Sequence, residues 1–122
     1  VSMARREEIE FVLDKSGLRD RFGILITADE VAKCKPDPES YVKGFAAIDS
    51  YRIRHGHSPM THPDCLVIED SPPGILAGRA AGLKTLGVTN TVSAERLREA
   101  GADAVTTSLR DWMPDSARRV FV

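Results

Sequence analysis

Cys65-Leu66-Val67-Ile68-Glu69-Asp70-Ser71-Pro72-Pro73-Gly74 reads as a short apolar strand that runs into two acids and then directly into a helix. A brief apolar run bounded by turn chemistry suits a strand buried on both faces. Pro73 to Ala81, closed by Gly82, has the composition of the helix that follows it. When strands alternate with helices the sheet is parallel, and ligands bind at the carboxyl ends of its strands. Glu69 and Asp70 are therefore expected at the ligand-binding end of an α/β sheet.

The same alternation extends in both directions. Downstream, Lys84 to Val88 is a further strand, Ser93 caps a helix through Ala100, Gly101 closes it, and Ala104 to Thr106 is a short last strand. An irregular tail with Trp112 and Pro114 follows. Upstream, Arg5 to Ser16 places Ile9, Val12 and Leu13 on one helical face, with Gly17 as its left-handed cap. Gly23 to Thr27 is short, β-branched and apolar, and predicts a buried strand that ends at Asp29 and Glu30. Asp37 can cap the next helix, Pro38 suits its first turn, and Tyr41, Val42, Phe45 and Ile48 form its inward stripe as far as Arg52 to Arg54. His55 to Asp64 lacks periodicity and predicts a long, mobile loop. The fold expected is a Rossmann-like α/β parallel sheet in three layers, with residues 1–122 as one domain.

Composition narrows the function. Lys and Arg total 17 against 18 Asp and Glu, with the signs interspersed, so no basic stripe points to nucleic acid or to an anionic membrane. A small polar substrate is the expected partner. Cys34 and Cys65 have no metal-ligand spacing and read as the free thiols of a cytoplasmic protein. No apolar run approaches the ~20 residues that span a bilayer. Val1 to Glu10 is polar where a signal peptide is apolar.

Three features could carry chemistry. Glu69 and Asp70 offer the hard oxygen donors that magnesium takes one or two at a time beside substrate phosphate; the plainer reading is that one of them caps the following helix. Lys35 lies in Lys33-Cys34-Lys35-Pro36-Asp37-Pro38, where two prolines stiffen the backbone and hold a point charge that can offset a phosphoryl group. In isolation a lysine is a solvated surface charge, as Lys33 is read. Ser2 precedes a helix and can offer a hydroxyl and nearby amides to phosphate, or simply cap that helix. His55, His57 and His62 are read as loop histidines rather than a metal centre, and Cys34 as a spectator thiol.

Taken in this order, the features resemble the haloacid dehalogenase-like superfamily, in particular its phosphoglycolate phosphatase and β-phosphoglucomutase-like branch. The resemblance rests on Val1-Ser2, Lys15-Ser16-Gly17-Leu18, Ile26-Thr27-Ala28-Asp29-Glu30-Val31, Lys35-Pro36-Asp37-Pro38-Glu39-Ser40-Tyr41, Val67 to Ile75, and Ala80-Ala81-Gly82-Leu83. It implies that Ser2 and Met3 hold phosphate, that Lys35 steadies nucleophile and phosphoryl group, and that Asp70 is the principal Mg2+ ligand with Glu69 assisting. The family's nucleophile is the first Asp of an Asp-x-Asp at the end of an earlier strand, and this sequence has no Asp-x-Asp.

The resemblance therefore places the nucleophile strand and a cap domain upstream of Val1. It implies a magnesium-dependent phosphatase that works through an aspartyl-phosphate when complete, and no turnover from these residues alone. A core without its central strand is expected to rearrange, to associate as a homodimer through the unpaired sheet region, or to be a remnant. A phosphosugar mutase of the same branch, a receiver domain and a non-catalytic binding module remain open. Receivers present their acids before their lysine, the reverse of the order of Lys35 and Glu69-Asp70. Phosphoglycolate, a sugar phosphate and a nucleotide fit the sequence equally.

Overall fold

A computed structural model describes residues Val1–Phe121. Strands β1 (Leu66–Glu69), β2 (Lys84–Val88) and β3 (Ala104–Thr106) form a parallel sheet in the order β1-β2-β3. Leu66 is registered against Lys84, and Leu86 against Ala104. The helices are α1 (Arg6–Ser16), α2 (Glu39–Arg54), α3 (Pro72–Ala80), α4 (Ala94–Glu99) and α5 (Pro114–Phe121). This is the open parallel α/β architecture expected.

Local chemistry explains most of the element boundaries. Ser71 Oγ accepts from Gly74 N at 3.3 Å and Ser93 Oγ from Arg96 N at 3.4 Å, so each caps its helix. Gly17 and Gly82 turn the chain after α1 and α3 at φ 70° and 78°, a conformation that costs other residues. Asp37 Oδ1 accepts from Glu39 N at 2.9 Å and anchors the start of α2.

Alternation along the strands puts Val67, Thr85 and Gly87 on one face of the sheet, where α3 and α4 pack side by side. Val67 and Thr85 meet α3 at Gly78, and Gly87 meets Leu97 of α4. Ile75, Leu86 and Leu97 are fully buried. A Cβ at Gly78 would stand 2.9 Å from Thr85 Cγ2 and 3.1 Å from Val67 Cγ1. Gly78→Ala gains about 1 kcal/mol of helix propensity but overpacks a site where overpacking costs about 1–3 kcal/mol. The expected result in urea denaturation is a net loss of about 1 kcal/mol; a more stable variant would show that α3 can retreat from the sheet.

Several sequence expectations require correction. Gly23 to Thr27 is not a strand: Gly23 is a bend and residues 24–27 form no regular element. Ser2 N donates to Ile26 O at 2.9 Å while Ala28 N donates to Ala4 O at 3.1 Å. A parallel ladder needs one partner residue to take both bonds, so this pairing never settles into register. Val42 and Ile48 are expected to face inward and are 52% and 39% exposed. Helical spacing marks an apolar stripe, but burial needs a facing surface. α2 meets α3 through Tyr41, beside Val67, Ala77 and Leu83, with Phe45 packed on the edge of that cluster.

The tail is also more ordered than its composition suggests. Pro114 opens α5, Asp115 lies in its first turn, and Arg118 and Arg119 lie in its last, a charge order that suits the helix dipole. Trp112 Nε1 donates to Thr106 Oγ1 at 3.0 Å, and Trp112 lies 6.3 Å from the Phe121 ring. The His55 to Asp64 segment is a loop with one 3-10 turn, His62–Asp64. Two of its histidines pack on neighbours: His62 stacks on Phe45 at 4.6 Å, and His55 on Tyr51 at 4.1 Å. No described helix is long and apolar enough to cross a membrane.

Candidate functional site

The carboxyl end of β1 opens into a cleft of about 590 Å3 lined by Ser2, Met3, Lys35, Glu69, Asp70 and Asn90, among others. All five residues singled out from the sequence thus share one wall. Glu69 and Asp70 arrive on β1 and the turn into α3, and Ser71 is held by its capping bond. Lys35 arrives on the segment before α2, where the Lys35–Pro36 peptide is cis. Ser2 and Met3 arrive on the segment before α1.

Glu69 is the hub. Its Oε1 accepts from both Lys35 Nζ and the Tyr41 hydroxyl. Lys35 and Glu69 side chains are only 11% and 8% exposed, so this is a buried ion pair. The Lys35 ammonium also lies 4.9 Å from the centroid of the Tyr41 ring. Burial first, then the bond to the Glu69 carboxylate, pushes the Tyr41 phenol well above its usual range, so it stays a proton donor. The pair fits only because position 74 has no side chain, since a Cβ there would overlap the Glu69 carboxyl.

Asp70 differs from its neighbour. Its Oδ2 accepts from the Thr91 hydroxyl, and no cation pairs with it among the described residues. It is an uncompensated carboxylate at the mouth of the sheet. No group of three or more His, Cys, Asp or Glu side chains converges among the described residues. That donor set fits a hard cation such as magnesium, which takes one or two carboxylates and completes its shell with water and phosphate oxygen. It does not suit zinc, which calls for a closed nitrogen or sulfur shell.

Ser2 does not cap α1, which begins at Arg6. Its hydroxyl accepts from Ala4 N at 3.2 Å, and its own amide is taken by Ile26 O. The Ser2 hydroxyl proton and the Met3 amide are free donors on this wall, with no partner among the described residues. Together with Lys35 they form a surface able to receive an anion beside a cation-ready carboxylate. Asp29, at the end of the expected strand, instead lies in the 3-10 turn Ala28–Glu30, where its Oδ2 accepts from Arg6 N at 2.7 Å.

Sequence reasoning missed three participants. Tyr41 was assigned to the core stripe, and burial does place its ring there, but its hydroxyl reaches the site. Thr91 and Asn90, in the turn after β2, carry no motif. Their only sequence signal is their position at the carboxyl end of a strand, where α/β sheets bind ligands.

A family profile described as haloacid dehalogenase-like hydrolase matches residues 1–82. The validoxylamine A 7'-phosphate phosphatase of Streptomyces hygroscopicus subsp. limoneus is 36% identical over 100 residues, which are 82% of this chain and 42% of that protein. Glycerol-1-phosphate phosphohydrolase 2 of Saccharomyces cerevisiae is 39% identical over 80 residues, 66% of this chain and 31% of that protein. Among solved structures, a haloacid dehalogenase-like protein from Agrobacterium tumefaciens superposes with a TM-score of 0.72 at 29% identity, covering 95% of this chain and 51% of that one. The chain thus spans between 31% and 51% of the length of these proteins.

Proposed function

The chain belongs to the haloacid dehalogenase-like hydrolase family, and on that premise we propose that it forms the phosphate- and magnesium-binding part of a phosphatase of small phosphate esters. The observation that carries this reading is the convergence of Lys35, Glu69, Asp70, Ser2 and Met3 on one cleft at the carboxyl end of β1. The two named relatives described above are phosphatases, which favours phosphatase over mutase chemistry.

Each residue then has a physical role. The Ser2 hydroxyl and Met3 amide donate to two phosphate oxygens and orient the ester. The Lys35 ammonium offsets the charge of the phosphoryl group, and the Glu69 carboxylate holds that ammonium in place. Asp70, oriented by Thr91, would be the main ligand of Mg2+, with Glu69 beside it. When bound, the metal supplies positive charge to the phosphoryl oxygens. The overall reaction takes up one water and releases an alcohol and orthophosphate.

Nucleophilic attack needs a group that these residues do not supply, because the sequence contains no Asp-x-Asp. Among the described residues β1 is paired on one edge only, to β2, and its own Ile68 is 49% exposed. Both features suit a further strand at this edge, the position the family resemblance assigns to the nucleophile. The expected outcome is that the 122-residue chain shows no magnesium-dependent turnover on a panel of sugar, polyol and nucleotide monophosphates. A version extended upstream to an Asp-x-Asp strand is expected to hydrolyse at least one of them. Robust turnover by the short chain would overturn the assignment of the nucleophile, and silence from both would overturn the phosphatase reading.

A further inference from the structure

We infer that Tyr41 is a positioning residue of the cleft, whose hydroxyl and ring face together hold the Glu69–Lys35 pair so that the lysine ammonium stands ready for phosphate. The consequence for phosphate rests on the phosphatase reading above; the hold on the pair does not.

The geometry assigns Tyr41 two separate contacts with the pair. Its hydroxyl donates to Glu69 Oε1, the same oxygen that receives Lys35 Nζ. Its ring face lies 4.9 Å from that ammonium, within the range of a cation–π contact. The tyrosine itself cannot wander: it is 7% exposed, sits in the first turn of α2, and its amide donates to Pro38 O at 3.0 Å. Lysine is the opposite case, a point charge on a flexible four-carbon stem. Confinement has to come from outside, and the Glu69 carboxylate alone would allow the ammonium to swing about a single oxygen. A second donor on that oxygen and a ring face beneath the nitrogen remove this freedom.

A purely packing role makes a different demand. Tyr41 is buried beside Val67, Ala77 and Leu83, and a phenylalanine would fill the same volume. The hydroxyl is therefore the atom that separates the two roles. It is also costly to bury without a partner, and its partner is a cleft residue rather than a backbone group.

The test compares Tyr41→Phe with the unaltered chain, each labelled with 13C-glutamate and 15N-lysine, and uses inorganic phosphate as the probe. In Tyr41→Phe the Glu69 carboxyl carbon resonance is expected to move, and the slowly exchanging Lys35 Nζ signal to be lost, with the melting temperature close to that of the unaltered chain. Phosphate affinity is expected to fall about threefold to tenfold, the equivalent of one lost hydrogen bond. In a Glu69→Gln background the same substitution is expected to change phosphate affinity no further. An unmoved Glu69 resonance overturns the inference, as does an equal effect of Tyr41→Phe with and without Glu69. A moved resonance with unchanged phosphate affinity overturns the consequence for phosphate. A moved resonance in a protein that never binds phosphate supports the hold on the pair and refutes the phosphate-site reading instead.

Discussion

Lys35→Met is expected to lower the unfolding free energy by about 3 kcal/mol and to abolish measurable phosphate binding. Methionine keeps the reach of the lysine stem and removes the charge. Glu69, only 8% exposed, would then be a carboxylate left with the Tyr41 hydroxyl as its single partner. Removing one member of a buried ion pair typically costs about 3–5 kcal/mol because the survivor stays desolvated. The lower end applies here, since the pair lies at a cleft from which water can reach the exposed remainder.

A second variant separates the two effects. Lys35→Met with Glu69→Gln removes both charges, and neutral replacement of a buried pair is often close to thermodynamically neutral. Urea denaturation is expected to show most of the lost stability restored in that double variant. Phosphate binding, followed by calorimetric titration, is expected to stay absent, since the cation is gone. If Lys35→Met denatured at the urea concentration of the unaltered chain, Glu69 would have to escape to solvent, and the buried-pair account would fail.

Gly74→Ala is expected to destabilise the protein through the Glu69 carboxyl. Alanine is the better helix former by about 1 kcal/mol, and the backbone of α3 could accept it. The added Cβ would, however, occupy the space of the Glu69 carboxyl. To relieve the overlap Glu69 must give up Lys35 and Tyr41 together, and hydrogen bonds to a charged group are each worth about 1.5–3 kcal/mol. The net expectation is a loss of about 2 kcal/mol or more, accompanied by weakened phosphate binding.

A double-mutant cycle decides whether this is the cause. With Glu69→Ala already in place, Gly74→Ala meets no carboxyl and is expected to cost nothing, or to stabilise by its helix propensity. Additive losses in the cycle would mean that Gly74 matters for another reason, such as backbone geometry at the start of α3.

Much of this molecule is legible from the sequence because its signals are local. An apolar run of strand length, a serine followed by two prolines, and a glycine after a periodic segment each act within a few residues through sterics and capping bonds. That is why β1, α3 and β2, with their caps at Ser71 and Gly82, follow the expected order. The acids of Glu69-Asp70 stand at the end of a strand by the same logic. From the residues alone Lys35 and Ser2 are candidates with plainer readings beside them; resemblance to a family added Met3 and joined all three to the acids, which no spacing rule does.

Only tertiary structure decided the remainder, because those features depend on what lies opposite. Gly23 to Thr27 has strand composition, yet its partner bonds fall out of register, and without a ladder it forms no strand. Val42 and Ile48 share a helical stripe with Tyr41, yet burial follows the facing surface and leaves them exposed. Within the cleft, Lys35 reaches across 34 residues to Glu69, Thr91 across 21 to Asp70, and Tyr41 across 28 to the same carboxylate as the lysine. The order of residues along the chain determined which groups could do chemistry. Folding determined that Glu69 would hold the lysine while Asp70 remained without a cation partner, because a carboxylate's role is set by the donors that surround it and not by its place in the sequence.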